Sequence, residues 1–220
     1  MKLVLVGDAP FAQIAYEYFT ADSEYEIVGF AVESEFLTDR RLFSLPVIPI
    51  ERIEEEFPPD EYHAFVAIAY NTMNRVRARL YRELKEKGYD VPTYISSEAF
   101  VWDNVEVGEN CFVFEGNTLQ PWVELGNNVV LWSGNHVGHH STIGDHTFVA
   151  SHAVISGFVD VGEYCFIGVN ATVANNVSIA DNCLVGAAAN ILDDTKENAV
   201  YGARPTEPTE YSAFDYFGVK

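Results

Sequence analysis

The stretch LQPWVELGNNVVLWSGNHVGHHSTIGDHTFVASHAVISGFVDVGEYCFI, Leu119 to Ile167, places an Ile, Leu or Val at every sixth position: Leu119, Leu125, Leu131, Val137, Ile143, Val149, Ile155, Val161 and Ile167. The same spacing holds outward in both directions, from Ile95 to Ile191, without a slip. Four residues after each aliphatic comes a small or modest side chain, as at Cys111, Asn135, Ser141, Ala153 and Cys165. Neither the period of a helix nor that of a flat strand produces this pattern. A second period lies on top, with Gly108, Gly126, Gly144 and Gly162 recurring every third hexad. Three hexads then make one coil of a triangular prism. Its axis is filled by the aliphatics, and its coils stack as parallel strands about 4.8 Å apart. The glycines are expected at one corner, supplying its tight turn. The three cysteines occupy the small interior position of one corner, where core packing is the expected role.

Composition bounds the rest. With 220 residues, 48% hydrophobic and 14% aromatic, the chain can build a proper core and is not a disordered one. A formal net charge of −20 argues against nonspecific binding to nucleic acid or to an anionic membrane. No apolar run approaches the roughly 20 residues that span a bilayer. The opening run Met1 to Val6 stops at Gly7, short of a secretory leader. Three cysteines do not suggest a disulfide framework, so a cytoplasmic location is expected. Ten of the 13 Lys and Arg precede residue 90, and none falls between Ile95 and Thr195. A phosphate-bearing ligand must therefore find cations in the N-terminal part, at Lys196 or Arg204, or on a neighbouring subunit. Backbone amides are the remaining option.

Before the repeat, Leu3–Val6, Ile27–Val32 and His63–Ala69 read as buried strands. Helices are expected from Pro10 to about Phe19, and from an Asn71 cap to about Lys87. This βαβ progression implies a parallel sheet. The turn at Gly7 is not GxGxxG, which weakens a nicotinamide-dependent alternative. Arg77, Arg79 and Arg82 read as an exposed helix face. The organisation expected is an α/β domain over 1–93, a repeat domain over 94–205 and a tail over 206–220. The tail's aromatics, Tyr211 to Phe217, are expected to pack on the prism.

Five of six histidines fall between His136 and His152. Zinc is the first suspicion. Register argues against it, because His140, His146 and His152 take the same slot in three consecutive hexads and so sit at three different corners. No metal site is expected. General-base catalysis is the better reading, since a neutral imidazole can take a proton from an attacking amine or hydroxyl near neutral pH. One coil apart, His139 lies between Pro121 and an unencumbered Gly157, whereas His140 lies between Trp122 and Phe158. That contrast favours His139 as base and His140 as its neighbour or partner.

The run Leu131-Trp132-Ser133-Gly134-Asn135-His136-Val137-Gly138-His139-His140-Ser141-Thr142-Ile143-Gly144-Asp145 resembles the signature of a family of sugar acyltransferases. That family includes UDP-N-acetylbacillosamine N-acetyltransferase and the sialic acid O-acetyltransferases. Its pattern runs roughly Asn-Thr-Gly-x-x-Val-x-His-Asp/Glu-x-x-Ile-Gly-Asp. The resemblance implies a left-handed hexapeptide β-helix following a Rossmann-like domain that holds the nucleotide of a nucleotide-sugar. It implies His139 as general base and the Gly157 amide as donor to the thioester carbonyl of acetyl-CoA. Gly157, Lys196, Gly202 and Arg204 would then hold the coenzyme. Gly7, Asp8, Glu33, Asn71, Arg75 and Trp132 would hold the nucleotide-sugar. A homotrimer is implied, with acetyl-CoA in the groove between adjacent prisms. So is N-acetylation of an amino-deoxy sugar in bacterial glycan biosynthesis; sugar O-acetylation and a noncatalytic scaffold are the alternatives. The sequence departs from the pattern at His140, where an acidic residue normally follows the base, and at Trp132, where many members carry Asn. It also departs at Phe148 and in the loosely kept closing run Gly202-Ala203-Arg204-Pro205.

Overall fold

The apolar opening of the chain forms β1 (Lys2–Val6), in which Leu3 to Val6 are at most 1% exposed. Pro10 begins α1 (Pro10–Ala21), its fixed φ suiting a first helical position. There follow β2 (Glu26–Val32), β3 (Arg41–Leu42), β4 (Leu45–Pro49), the short α2 (Ile53–Glu56) and β5 (His63–Val66). The sheet order is β3-β4-β2-β1-β5, and every pairing is parallel except that of β3 with β4. The structure, a computed structural model, describes residues 1–204, 210 and 212–218.

The helix after β5 departs from expectation. Asn71 does not cap it; Thr72, Met73 and Asn74 take left-handed conformations (φ 53°, 48° and 63°), and α3 starts only at Arg75 and ends at Glu86. Arg77 is fully buried, contrary to an exposed arginine row, and its Nη2 donates to the Asn128 carbonyl at 2.8 Å.

From Tyr94 onward the hexads become two-residue strands. The second residue of each points to the axis, and from Val113 to Ile191 these side chains are at most 4% exposed. Among the described residues the strands form three parallel sheets of seven, six and five strands. The first contains Phe112–Val113, Val130–Leu131 and Phe148–Val149; the second His136–Val137 and Val154–Ile155; the third Glu124–Leu125 and Thr142–Ile143. From Tyr94 to Ile191 each strand pairs with the one eighteen residues away, as Val130 does with Phe112 and Phe148, and the last, Val200–Tyr201, pairs with Leu184–Val185 sixteen residues back.

The corners are not turned by the period-18 glycines. The left-handed residue comes two positions later in each hexad, at Asn128, His140, His146, His152, Phe158 and Tyr164 among others. Gly108 and Gly144 answer a different demand. A Cβ on Gly144 would stand 2.7 Å from the Gly162 carbonyl carbon of the next coil, and one on Gly108 equally close to that of Gly126. Close stacking of backbone, not positive φ, requires them.

The N-terminal unit covers the first face. Phe11 and Phe19 of α1 meet Phe112 edge-on at 5.5 and 5.9 Å, and Phe114 and Trp132 extend the layer. It also grips both corners flanking that face, through Tyr18 to Glu115 on one side and Tyr81 to Glu109 on the other. The third corner, between the second and third faces, stays exposed. In the tail, Tyr211 lies outside the described residues. Phe214, Tyr216 and Phe217 are 69–79% exposed and do not pack on the prism.

Candidate active site

His139 and His140 stand on that third corner. The His139 amide donates to Gln120 Oε1 at 2.9 Å, which fixes the corner to the coil below. Its ring lies against Gly157 on the coil above: a Cβ there would come 2.8 Å from Cε1 and 2.9 Å from Nε2. Glycine is thus what lets the imidazole lie along the backbone. The Gly157 amide, however, is not unencumbered. Its N–H donates to Asn175 Oδ1 at 2.9 Å, one coil further up. This is the prism's general way of satisfying corner amides, since Asp145 Oδ1 does the same for Asn127 and Asp181 Oδ1 for Glu163. Asn175 is the partner that sequence reasoning missed. The eighteen-residue spacing from Gly157 was the signal that could have found it.

His140 is stacked between Trp122 (4.5 Å between centroids, 25°) and Phe158 (4.8 Å, 15°), as the register predicts. Its Nδ1 is 3.1 Å from His139 Nδ1. His146 and His152 are at the other two corners, so the three imidazoles do not converge. His146 is buried against Arg82 and Asn128, and burial pushes its pKa down to about 4. Among the described residues no group of three His, Cys, Asp or Glu side chains could hold a metal.

The expected sugar-nucleotide residues gather only in part. Gly7, Asp8, Glu33 and Asn71 line a cavity of about 470 Å³ at the ends of β1, β2 and β5. Gly7 (φ +125°) is required there, because a Cβ would meet the Ala67 carbonyl oxygen at 2.8 Å. Arg75 is not in the cavity. Its guanidinium lies 3.4 Å from the centre of the Tyr164 ring and bonds Asn182 on the prism. Arg79, one turn later, lines the cavity instead and pairs with Glu33 at 2.9 Å. The expected helix start at Asn71 concealed this. Trp132 lines neither this cavity nor the one below; it is packed against Phe11, Phe114 and Phe148.

At the far end of the prism, Gly202 and Arg204 line a cavity of about 590 Å³ with Tyr201 and Asn190. Lys196 is not among its lining residues; its backbone N–H is held by the Tyr201 hydroxyl at 2.8 Å. Pro205 lies outside the described residues.

The bacterial transferase hexapeptide model, of six repeats, matches residues 123–157. No curated protein matches the sequence. Solved structures then give particulars. The acetyltransferase domain of PglB from Neisseria gonorrhoeae FA1090 superposes with a TM-score of 0.83 at 20% identity, over 94% of this chain and 99% of that one. PerB from Caulobacter crescentus, in complex with CoA and GDP-perosamine, gives 0.81 at 23% identity, over 92% and 94%. WeeI from Acinetobacter baumannii AYE gives 0.70 at 20% identity, over 91% and 96%. The chain shares the fold of these proteins along nearly its whole described length.

Proposed function

We propose that the protein is an acetyl-CoA-dependent N-acetyltransferase acting on the amino group of a nucleotide-linked amino-deoxy sugar. One observation carries this reading: the His139 imidazole lies along the Gly157 peptide at an exposed corner. A base and a backbone donor there share one reaction volume. The likeness in fold to PerB, whose structure holds CoA and GDP-perosamine, supports the choice of substrates.

In the reaction the sugar amine attacks the thioester carbonyl, a C–N bond forms and the C–S bond breaks. His139 Nε2 takes the amine proton, and the departing thiolate is protonated to free CoA. A thioester is already activated, so alignment supplies most of the rate and no covalent enzyme intermediate is needed. The Gly157 N–H serves the oxyanion once the exposed Asn175 side chain turns away from it. In this reading Arg204 and Gly202, which line one cavity, receive coenzyme, and Gly7, Asp8, Asn71 and Arg79, which line the other, receive the nucleotide. The N-terminal unit, 1–93, acts as a Rossmann-like nucleotide domain. The prism, 94–205, is of the left-handed kind, and the enzyme works in the cytoplasm.

Where these parts lie supports a site shared between protomers. The chain's own nucleotide unit occupies the first face and its flanking corners, while His139 is on the remaining corner. A homotrimer places the His139 corner of one protomer beside the nucleotide unit of the next, with acetyl-CoA in the groove between prisms. The test is CoA release with a panel of nucleotide-linked amino sugars. His139→Ala is expected to lower kcat/KM about a thousandfold, in the range of a lost general base. Activity within a few-fold of the unaltered protein would remove His139 from the role.

A further inference from the structure

A base that uses Nε2 needs its other ring nitrogen held, because the hydrogen bond at Nδ1 fixes both tautomer and ring orientation. A carboxylate usually does this. Here the group within reach of His139 Nδ1 is another imidazole nitrogen, His140 Nδ1, at 3.1 Å. At that distance the two nitrogens share one proton, one donating and the other accepting.

His140 is itself fixed more firmly than an exposed surface histidine would be. Its ring lies near-parallel between the Trp122 indole and the Phe158 ring. All three residues adopt left-handed backbone (φ 60°, 59° and 58°), a conformation that costs bulky side chains free energy and that Asn or Gly fills at most other corners of the prism, His146, His152, Tyr164 and Ala188 being the others that take it. Trp122 and Phe158 are 57% and 51% exposed in the single chain, so burial within the chain does not account for the column. Three successive coils accept strain at one corner, and the result is an imidazole held flat between two π faces beside the base.

We propose that His140 is the positioning residue of the base, and that the faces of Trp122 and Phe158 do for this pair what a carboxylate would otherwise do. His139 Nδ1–H donates to His140 Nδ1, leaving the His139 Nε2 lone pair to accept the amine proton. When that proton arrives, the pair carries one positive charge. Moving the shared proton to His140 places that charge between two aromatic faces, where ring quadrupoles attract a cation. The proton returns when the thiolate takes one up, and the pair is again neutral.

This rests on the acyltransferase reading, so the test has an arm independent of turnover. In the full-length protein with ¹⁵N-labelled histidine, a through-hydrogen-bond coupling between the two Nδ1 atoms is expected, and Trp122→Ala should abolish it. Absence of the coupling in the unaltered protein would overturn the proposal whatever the substrate. In the turnover arm, His140→Ala is expected to lower kcat some 10- to 100-fold with KM changed less than about twofold, the loss being one of orientation. His140→Asp, an acceptor that tolerates left-handed backbone, should recover most of that loss. In the His140→Asp protein the cost of Trp122→Ala should shrink several-fold, since the clamp acts through the imidazole. An unchanged kcat in His140→Ala, or a Trp122→Ala cost equal in both backgrounds, would reduce the column to a structural one. Loss of activity in His139→Ala with a normal His140→Ala would keep the base and discard its partner.

Discussion

His146 and His139 show how one residue type is set to two tasks by its surroundings. His139 stands in the open on a corner that none of the described residues covers. His146, at the next corner of the chain, is 4% exposed, accepts from Asn128 Nδ2 at 2.9 Å and lies close to Arg82. Burial first, then the neighbouring arginines, hold its pKa near 4 against an ordinary 6.5, with Asp145 opposing. The unfolded chain therefore takes up a proton as pH falls through 6.5 while the folded chain does not. Stability from this group is complete above that range and declines until about 4, at roughly 1 kcal/mol per pH unit or less. The difference in urea midpoint between the unaltered protein and His146→Asn, measured near pH 7.5 and near pH 5, isolates the effect. The unaltered protein should lose more on acidification. Asp22, Glu109 and Glu115 are held below their ordinary carboxylate values and respond only at lower pH.

At the level of the coil, spacing and space are separate constraints. The hexad rule puts an aliphatic on the axis, yet Gly144 is fixed by the approach of Gly162 above it. Gly144→Ala should cost about 2 kcal/mol by overpacking, read from chemical denaturation. Gly202→Ala, with nothing within 4 Å, should leave stability within about 0.5 kcal/mol. The prism was legible because a six-residue period is written in each coil by its own residues. The helix after β5 was not. Three consecutive left-handed residues, Thr72 to Asn74, delay its start to Arg75, and none of them is a residue type that announces such a turn except Asn74. In the helix so begun, Arg75 and Arg82 reach the prism, Arg79 lines the cavity and Arg77 is buried beneath the docked unit.

For the whole molecule, the proposed site is divided between protomers, and that division can be measured. His139→Ala and a second variant, Asn71→Ala with Arg79→Ala, are each expected to be poorly active alone. When the two are mixed by joint refolding, random trimers should recover about a quarter of the unaltered rate, since one site in four then joins an intact base to an intact nucleotide cavity across a cyclic interface. A mixture no more active than its components would place both parts of the site within one chain. The net charge of −20 leaves the third face lined by acidic side chains such as Glu106, Glu124 and Asp160. The aromatic residues Phe100, Trp102, Trp122 and Phe158 are exposed on the second face and the third corner.

By itself the sequence determined the prism, the stacking of His140 between Trp122 and Phe158, and the meeting of His139 with Gly157. Each is a relation between residues a fixed number of positions apart in a periodic structure. Tertiary structure alone decided which corner stays uncovered, that Trp132 is packed against Phe11, and which arginine of α3 reaches the cavity. Those outcomes depend on how a second, non-periodic unit docks on the prism and on where side chains find hydrogen-bond partners. No repeat in the chain encodes either.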